Sequence, residues 1–465
     1  MRGIGLSLIF AVIVLPLQWI TVAETPLGTF RAHQIGLAVL ILSVLLLVRP
    51  SRFVRGLASV WWLVGCYVAG LALLLAATLL RGEPVNVPVQ QAFYLVGTCS
   101  AVVAMGLLIR YDQVYRLRWC GVFSVLILLA ALGFGLWTNQ VHVLKVLGRA
   151  ISSGSSEILG YELYRPAFAG FGVSLADAGS QLRHEVFAGV LVGLAIGSFA
   201  LAYRPDRSSR LVRRLHLVSL AVGVLLMAGS LSRAVTAAAL VWPAYIIVRS
   251  LIRARLDIGS LAVAVAGSAL VSVIALTGVA QVLIDRLRDP VSGRARSQLL
   301  EGAFNRLDNA FFWGGMYDDR ISSHNFVIDA WLRGGVVVAG LMAAIMVGIW
   351  LTLGRLFLAS GRLPHWSAPV SFLLALPSVR MLTIGAGLMT PPEWVGMGLG
   401  VFLTGVALAN RERIGAPAET LPTPVPRRTS PAEADASAPA LPPVPPVPAI
   451  PSGSSVPSIK PGERR

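Results

Sequence analysis

The sequence predicts an all-α polytopic integral membrane protein of about 12 transmembrane helices, with a short helical outer loop and a disordered proline-rich C-terminal tail. Two compositional observations and one pattern predict it. The 465 residues are 55% hydrophobic and only 13% charged, where a globular protein carries about 25% charged residues. Mean hydropathy is +0.74. A soluble chain of this length cannot hide so much apolar surface, because the buried fraction saturates as domains grow. A secreted enzyme, a cytosolic enzyme and a disordered scaffold are excluded. The apolar residues also cluster into runs of about 20, the length a helix needs to cross hydrocarbon with its backbone hydrogen bonds satisfied internally.

Twelve such runs occur, near residues 3–22, 34–48, 57–80, 92–109, 119–137, 185–203, 215–229, 234–248, 258–284, 325–353, 367–388 and 394–409. Only Ser230 to Arg233 separate the seventh from the eighth, and only Thr390 to Glu393 the last two. The first run also has the length of a signal peptide cut near Ala23. Its small residues there, Thr21 and Ala23, make a weak cleavage pattern, so an uncleaved helix is expected.

Charge orients the spans. The formal net charge is +17, and of 39 basic residues only Lys145 and Lys460 are lysine. Arg49, Arg52 and Arg55 follow the second run; Arg110, Arg116 and Arg118 follow the fourth. Arg204, Arg207, Arg210, Arg213 and Arg214 follow the sixth, and Arg249, Arg253 and Arg255 the eighth. Basic short loops stay cytoplasmic, which puts both termini inside and makes nucleic acid unnecessary as an explanation of the charge. The three cysteines, Cys66, Cys99 and Cys120, imply neither a disulfide framework nor a metal site.

Two long loops then face outward, at about 138–184 and 285–324. The tail from 411 to 465 holds 14 of the 28 prolines, in runs such as Leu441 to Pro448. It has the composition of a solvated polyproline segment, a spacer or a ligand for a proline-reading partner. The chain accordingly divides into N-terminal spans (1–189, with the loop 138–184), a core (190–350, with the loop 285–324), C-terminal spans (351–410) and the tail.

Some polar residues are left unexplained by insertion. Thirteen basic residues lie outside against the charge rule, and Arg333 and Arg380 fall within predicted spans with Asp329. The loop 285–324 carries Arg286, Arg288, Arg294, Arg296, Arg306 and Arg320 against six acids. Its apolar positions Leu299, Leu300, Ala303, Leu307 and Phe311 recur at helical spacing. One reading is an amphipathic helix with solvent-exposed ion pairs; the other has several arginines converging on a phosphate, which a guanidinium fork suits. Arg233, in a tight outer turn, either faces a polar cavity or snorkels to lipid phosphates. His324 opens an apolar helix in Ser323-His324-Asn325. There it either accepts a proton from a hydroxyl, or stands beside a simple N-cap supplied by Ser323 or Asn325.

Three passages together resemble the O-antigen ligase and polymerase superfamily of bacterial polysaccharide assembly. They are Ser230-Leu-Ser-Arg233-Ala-Val-Thr; Ser292-Gly-Arg294 continuing to Asn309-Ala-Phe-Phe-Trp-Gly314-Gly315; and Ser323-His324-Asn325 with Gly334 and Gly340 downstream. The resemblance covers about 190–350. It implies glycosyl transfer at the outer face of a bacterial cytoplasmic membrane, without metal or cofactor. The donor would be a glycan on an undecaprenyl diphosphate carrier, and the acceptor hydroxyl would belong to a lipid, a glycan or a protein. On that reading His324 is the base, Arg233 and Arg294 bind the diphosphate, and Arg288, Arg296 and Arg165 assist. The competing expectation is a transporter or flippase for a lipid-linked or anionic substrate, which would depend on Asp329 or Arg380 within the membrane.

Overall fold

The computed structural model describes residues 2–25, 28–153, 158–169, 180–230, 232–253, 290–317, 323, 325–383 and 390–415. The chain is a membrane-embedded, all-α protein: among the described residues, seven helices are long and apolar enough to cross a membrane. The predicted span 258–284 and residues 416–465 lie outside the described residues.

The first predicted span is corrected. α1 (Arg2–Ile13) stops early, because Pro16 has no amide hydrogen to continue the ladder, and Val14 to Ile20 form turns instead. An antiparallel hairpin follows, β1 (Thr21–Thr25) with β2 (Gly28–Arg31), the one sheet among the described residues.

The next helices are α2 (Ala32–Leu47), α3 (Pro50–Gly56), α4 (Trp61–Leu80), α5 (Asn86–Arg110) and α6 (Cys120–Thr138). Within the long loop 138–184 the chain forms α7 (Val143–Ser153), a π-helical turn (Leu159–Tyr164) and the one-turn α8 (Arg165–Phe168). Then come α9 (Ser180–Tyr203), α10 (Arg210–Ser230) and α11 (Arg233–Ile252). Ser232 caps α11, its hydroxyl accepting from the Val235 amide at 3.4 Å. α12 (Pro290–Leu307) is the expected helix of the second long loop, and α13 (Phe326–Leu358) follows.

α14 is described over Ser367–Thr383, and the rest of the predicted run to 388 lies outside the described residues. One boundary moves after it. α15 (Pro391–Gly415) begins before 394 and continues past 411, so the first residues assigned to the tail are helical.

The ends of several helices can be identified by the contacts that tie them. Arg204 Nε bonds Asp112 Oδ1 at 2.5 Å, joining the ends of α9 and α5; that bond and the carboxylate charge raise the Arg204 pKa above its ordinary value. Arg253 donates to the Gly361 and Leu363 carbonyls at 2.7 and 3.1 Å, and Arg249 to those of Pro364 and Leu363 at 2.9 and 2.8 Å. α11 and α13 therefore finish at one arginine-rich end and run in the same direction. Arg233 and the first turns of α13 stand at the opposite end.

A continuous core joins the helices, while apolar side chains cover the outside. Leu46, Leu80 and Leu358 are 81%, 75% and 85% exposed. A water-soluble surface does not carry leucines at this density; a membrane-embedded one does.

Candidate functional site

The end opposite the arginine-rich one is built around the start of α13. Asn325 caps this helix, its Oδ1 accepting from the Val327 and Ile328 amides at 3.0 and 3.3 Å. Asp329, one turn further in and fully buried, reaches back to Ser323. Its Oδ1 accepts from the Ser323 amide at 2.8 Å and from the Ser323 hydroxyl at 2.6 Å. The Ser323 hydroxyl also accepts from the Asn325 amide at 3.1 Å. The residues on both sides of position 324 are thus held by side chains of the same short segment.

Nine residues into α13 the helix breaks. Gly335 has φ 82° and ψ 180°, a region open essentially to glycine alone. A Cβ there would collide with the Phe312 carbonyl. Residues 311–316 lie against the break and take up its backbone groups. The Val336 amide donates to Phe311 O at 2.8 Å, and the Met316 amide to Leu332 O at 3.0 Å. Gly314 and Gly315 also have positive φ, 69° and 89°, which lets this strap turn tightly where its backbone meets Arg333.

Arg81, just after α4, fastens the strap. It donates to the Trp313 carbonyl, and to that of Arg333 at 3.0 Å, while pairing with Glu83 at 2.8 Å. The Arg333 guanidinium lies 3.5 Å from the centre of the Tyr317 ring, a cation–π arrangement. A cavity of about 210 Å3 opens here, with Arg81, Glu83, Asn86, Gly315, Tyr317 and Arg333 in its wall. α12 and the segment after it pack on α13 through Ala303, Ala310 and Leu332, with Leu307, Tyr317, Ile328 and Trp331 around them.

A second polar feature at this end is the pair Arg380–Glu393, between the last turn of α14 and the first of α15. Both side chains are 3% exposed. Glu393 Oε2 also accepts from the Thr390 amide at 2.6 Å, capping α15. Among the described residues, Arg380 Nη1 is buried with no hydrogen-bond partner. Arg380 and Asp329 were expected as charges inside spans; both lie near helix ends and are engaged by neighbouring groups.

The predicted site residues are placed as follows. Arg233 is the first residue of α11, and Arg294 and Arg296 lie in the first two turns of α12; only their backbones are described. α12 meets α13, so Arg294 and Arg296 share a helix pair with the segment next to position 324. His324 and Arg288 lie outside the described residues. Arg165 is half-buried at the start of α8. Asn139 at the end of α6 bonds the Pro166 carbonyl at 3.0 Å, so Arg165 is set beside α6.

Residues not singled out in the sequence are Arg81, Glu83, Ser323 as the partner of Asp329, and Tyr317. Their only available signal was an arginine just outside a span, at Arg81. Among the described residues no three His, Cys, Asp or Glu side chains gather as a metal site. No family model matches this chain, and no curated protein matches it.

Proposed function

We propose that this protein is a membrane glycosyltransferase that moves a glycan from an undecaprenyl-diphosphate-type carrier to an acceptor hydroxyl, as a ligase or polymerase of surface polysaccharide. The reaction would occur at the outer face of a bacterial cytoplasmic membrane. The arginine-rich helix ends would then face the cytoplasm, with both termini there, in keeping with the positive-inside rule.

One observation carries this reading. α11, opened by Arg233, and α13, whose cap follows His324, begin at the same end of the bundle, and α12 with Arg294 and Arg296 packs on α13. His324 would take the proton from the acceptor hydroxyl. Arg233 and Arg294 would stabilise the charge gathering on the departing diphosphate, which preorganised guanidinium groups do without reorganisation. Arg288, Arg296 and Arg165 are the assisting arginines.

The test is replacement of His324, Arg233 and Arg294 by alanine, with surface polysaccharide followed on gels. Each variant is expected to abolish or shorten the product at normal protein levels. Normal amounts and lengths with His324→Ala would overturn the assignment of the base.

The break at Gly335 favours a second reading, a transporter or flippase, because broken helices line transport sites. Against it, the strap 311–316 and Arg81 already occupy the backbone groups at this break. Transport would require Asp329 or Arg380 to contact substrate, whereas transfer requires the loop carrying His324.

A further inference from the structure

A second cavity, of about 400 Å3, lies where β2, the start of α2 and the first turns of α5 meet. We propose that it binds an acidic glycan; this rests on the transferase reading for its biological role, while the binding itself can be measured alone.

The wall combines three kinds of group. Phe30 and Phe93, both half-buried, supply aromatic surface. Gln34, Gln90 and Asn86 supply amides. Two of these amides are fixed: Gln34 and Gln90 donate to the Tyr94 hydroxyl at 3.4 and 2.9 Å, and Gln34 Oε1 accepts from the Arg31 amide at 2.7 Å. Among the described residues Gln90 Oε1 has no partner, so it can accept from a ligand. Aromatic surface meets the C–H face of a pyranose while oriented amides pair with its hydroxyls, and a few fixed polar groups set specificity in such a pocket.

Arg31 adds the charge. It is half-buried in the wall, and among the described residues no carboxylate lies within ion-pairing distance of it. Glu185 acts on it only at longer range. No acidic side chain lines the cavity. A guanidinium in this setting suits a carboxylate or phosphate substituent on the sugar.

The cavity also neighbours the candidate site through one shared residue. Asn86 is in its wall and in that of the cavity formed by Arg81, Gly315, Tyr317 and Arg333. A glycan seated between Phe30 and Phe93 would extend past Asn86 towards the strap and the start of α13. The amides and Arg31 in the wall suit the sugar portion of a substrate rather than a lipid tail.

Binding would be measured on the purified full-length protein in detergent, with tetragalacturonate, maltotetraose and inorganic phosphate as probes. Tetragalacturonate is expected to bind at least about tenfold more tightly than maltotetraose, the scale of one charged hydrogen bond. Arg31→Gln should erase that difference, and Phe30→Leu should weaken both sugars. Three results would overturn the proposal: equal binding of the two sugars, tetragalacturonate binding unchanged by Arg31→Gln, or competition by phosphate as strong as by the acidic sugar. His324→Ala separates this site from the transferase reading. Retained sugar binding without transfer supports both, while retained transfer removes the base assignment and leaves the binding result standing.

Discussion

Ser323 and Asp329 are joined twice: the amide and the hydroxyl of Ser323 both donate to Asp329 Oδ1, at 2.8 and 2.6 Å. Asp329 is fully buried, so each bond acts without competition from water. With Asn325 capping the same helix, the contact fixes the backbone on both sides of His324.

Asp329→Ala removes both bonds. Losing even one hydrogen bond of this kind is worth about 1.5–3 kcal/mol, so misplacement of the segment should lower glycan transfer at least roughly tenfold. Asp329→Asn keeps an acceptor oxygen and should fall between the variant and the parent. Product formed per unit of purified protein is the measurement; parental rates in Asp329→Ala would remove this positioning role.

Gly335→Ala should lower the thermal midpoint in detergent. The backbone conformation costs about 1–3 kcal/mol for a residue with a Cβ, and that Cβ would also meet the Phe312 carbonyl. Gly340→Ala is the control, because nothing lies within 4 Å of its Cβ position. Equal midpoints for the two variants would mean that the break is not held by the strap.

Loss of one partner of Arg380–Glu393 should be costly, about 3–5 kcal/mol, because the other charge stays buried alone. Arg380→Met and Glu393→Gln should each destabilise strongly, and the two together should recover most of the loss. A double-mutant cycle in detergent measures the coupling. Stable single variants with lost activity would instead place the pair on a substrate path.

Arg81→Ala should loosen the strap. It gives up the bonds to Trp313 and Arg333 and the pair with Glu83, so proteolytic cleavage within 308–317 is expected to rise at least about tenfold. Arg81→Lys should rescue it only partly, since an ammonium lacks the planar fork that reaches both carbonyls and the carboxylate.

Hydropathy made most of the helices legible, because length and apolarity are local properties of a run. It failed where a local break is masked by composition. Pro16 sits inside an apolar stretch, so residues 3–22 read as one helix when α1 ends at Ile13. Gly334-Gly335 lies inside the tenth run, and only the carbonyl of Phe312 reveals why Gly335 leaves the helix. The cap at Asn325 was readable as one of two alternatives, since capping is a short-range signal. Arg81 was not, because its partners are backbone carbonyls 232 and 252 residues away that carry no side-chain signature. Arg333 and Arg380 were readable as charges needing partners, but their neighbours Tyr317 and Glu393 depend on where α13, α14 and α15 actually begin and end.

The bonds from Arg249 and Arg253 to Gly361, Leu363 and Pro364 have a mechanical consequence. They pin α11 at its last turn, beside the segment that links α13 to α14. A helix of 20 residues is about 30 Å long, so α11 sets that anchor and Arg233 roughly a hydrocarbon thickness apart. α11 is held a second time where the Tyr245 and Ser367 hydroxyls bond at 2.8 Å at the start of α14, so Arg233 stands at the far end of a rod anchored on two neighbours.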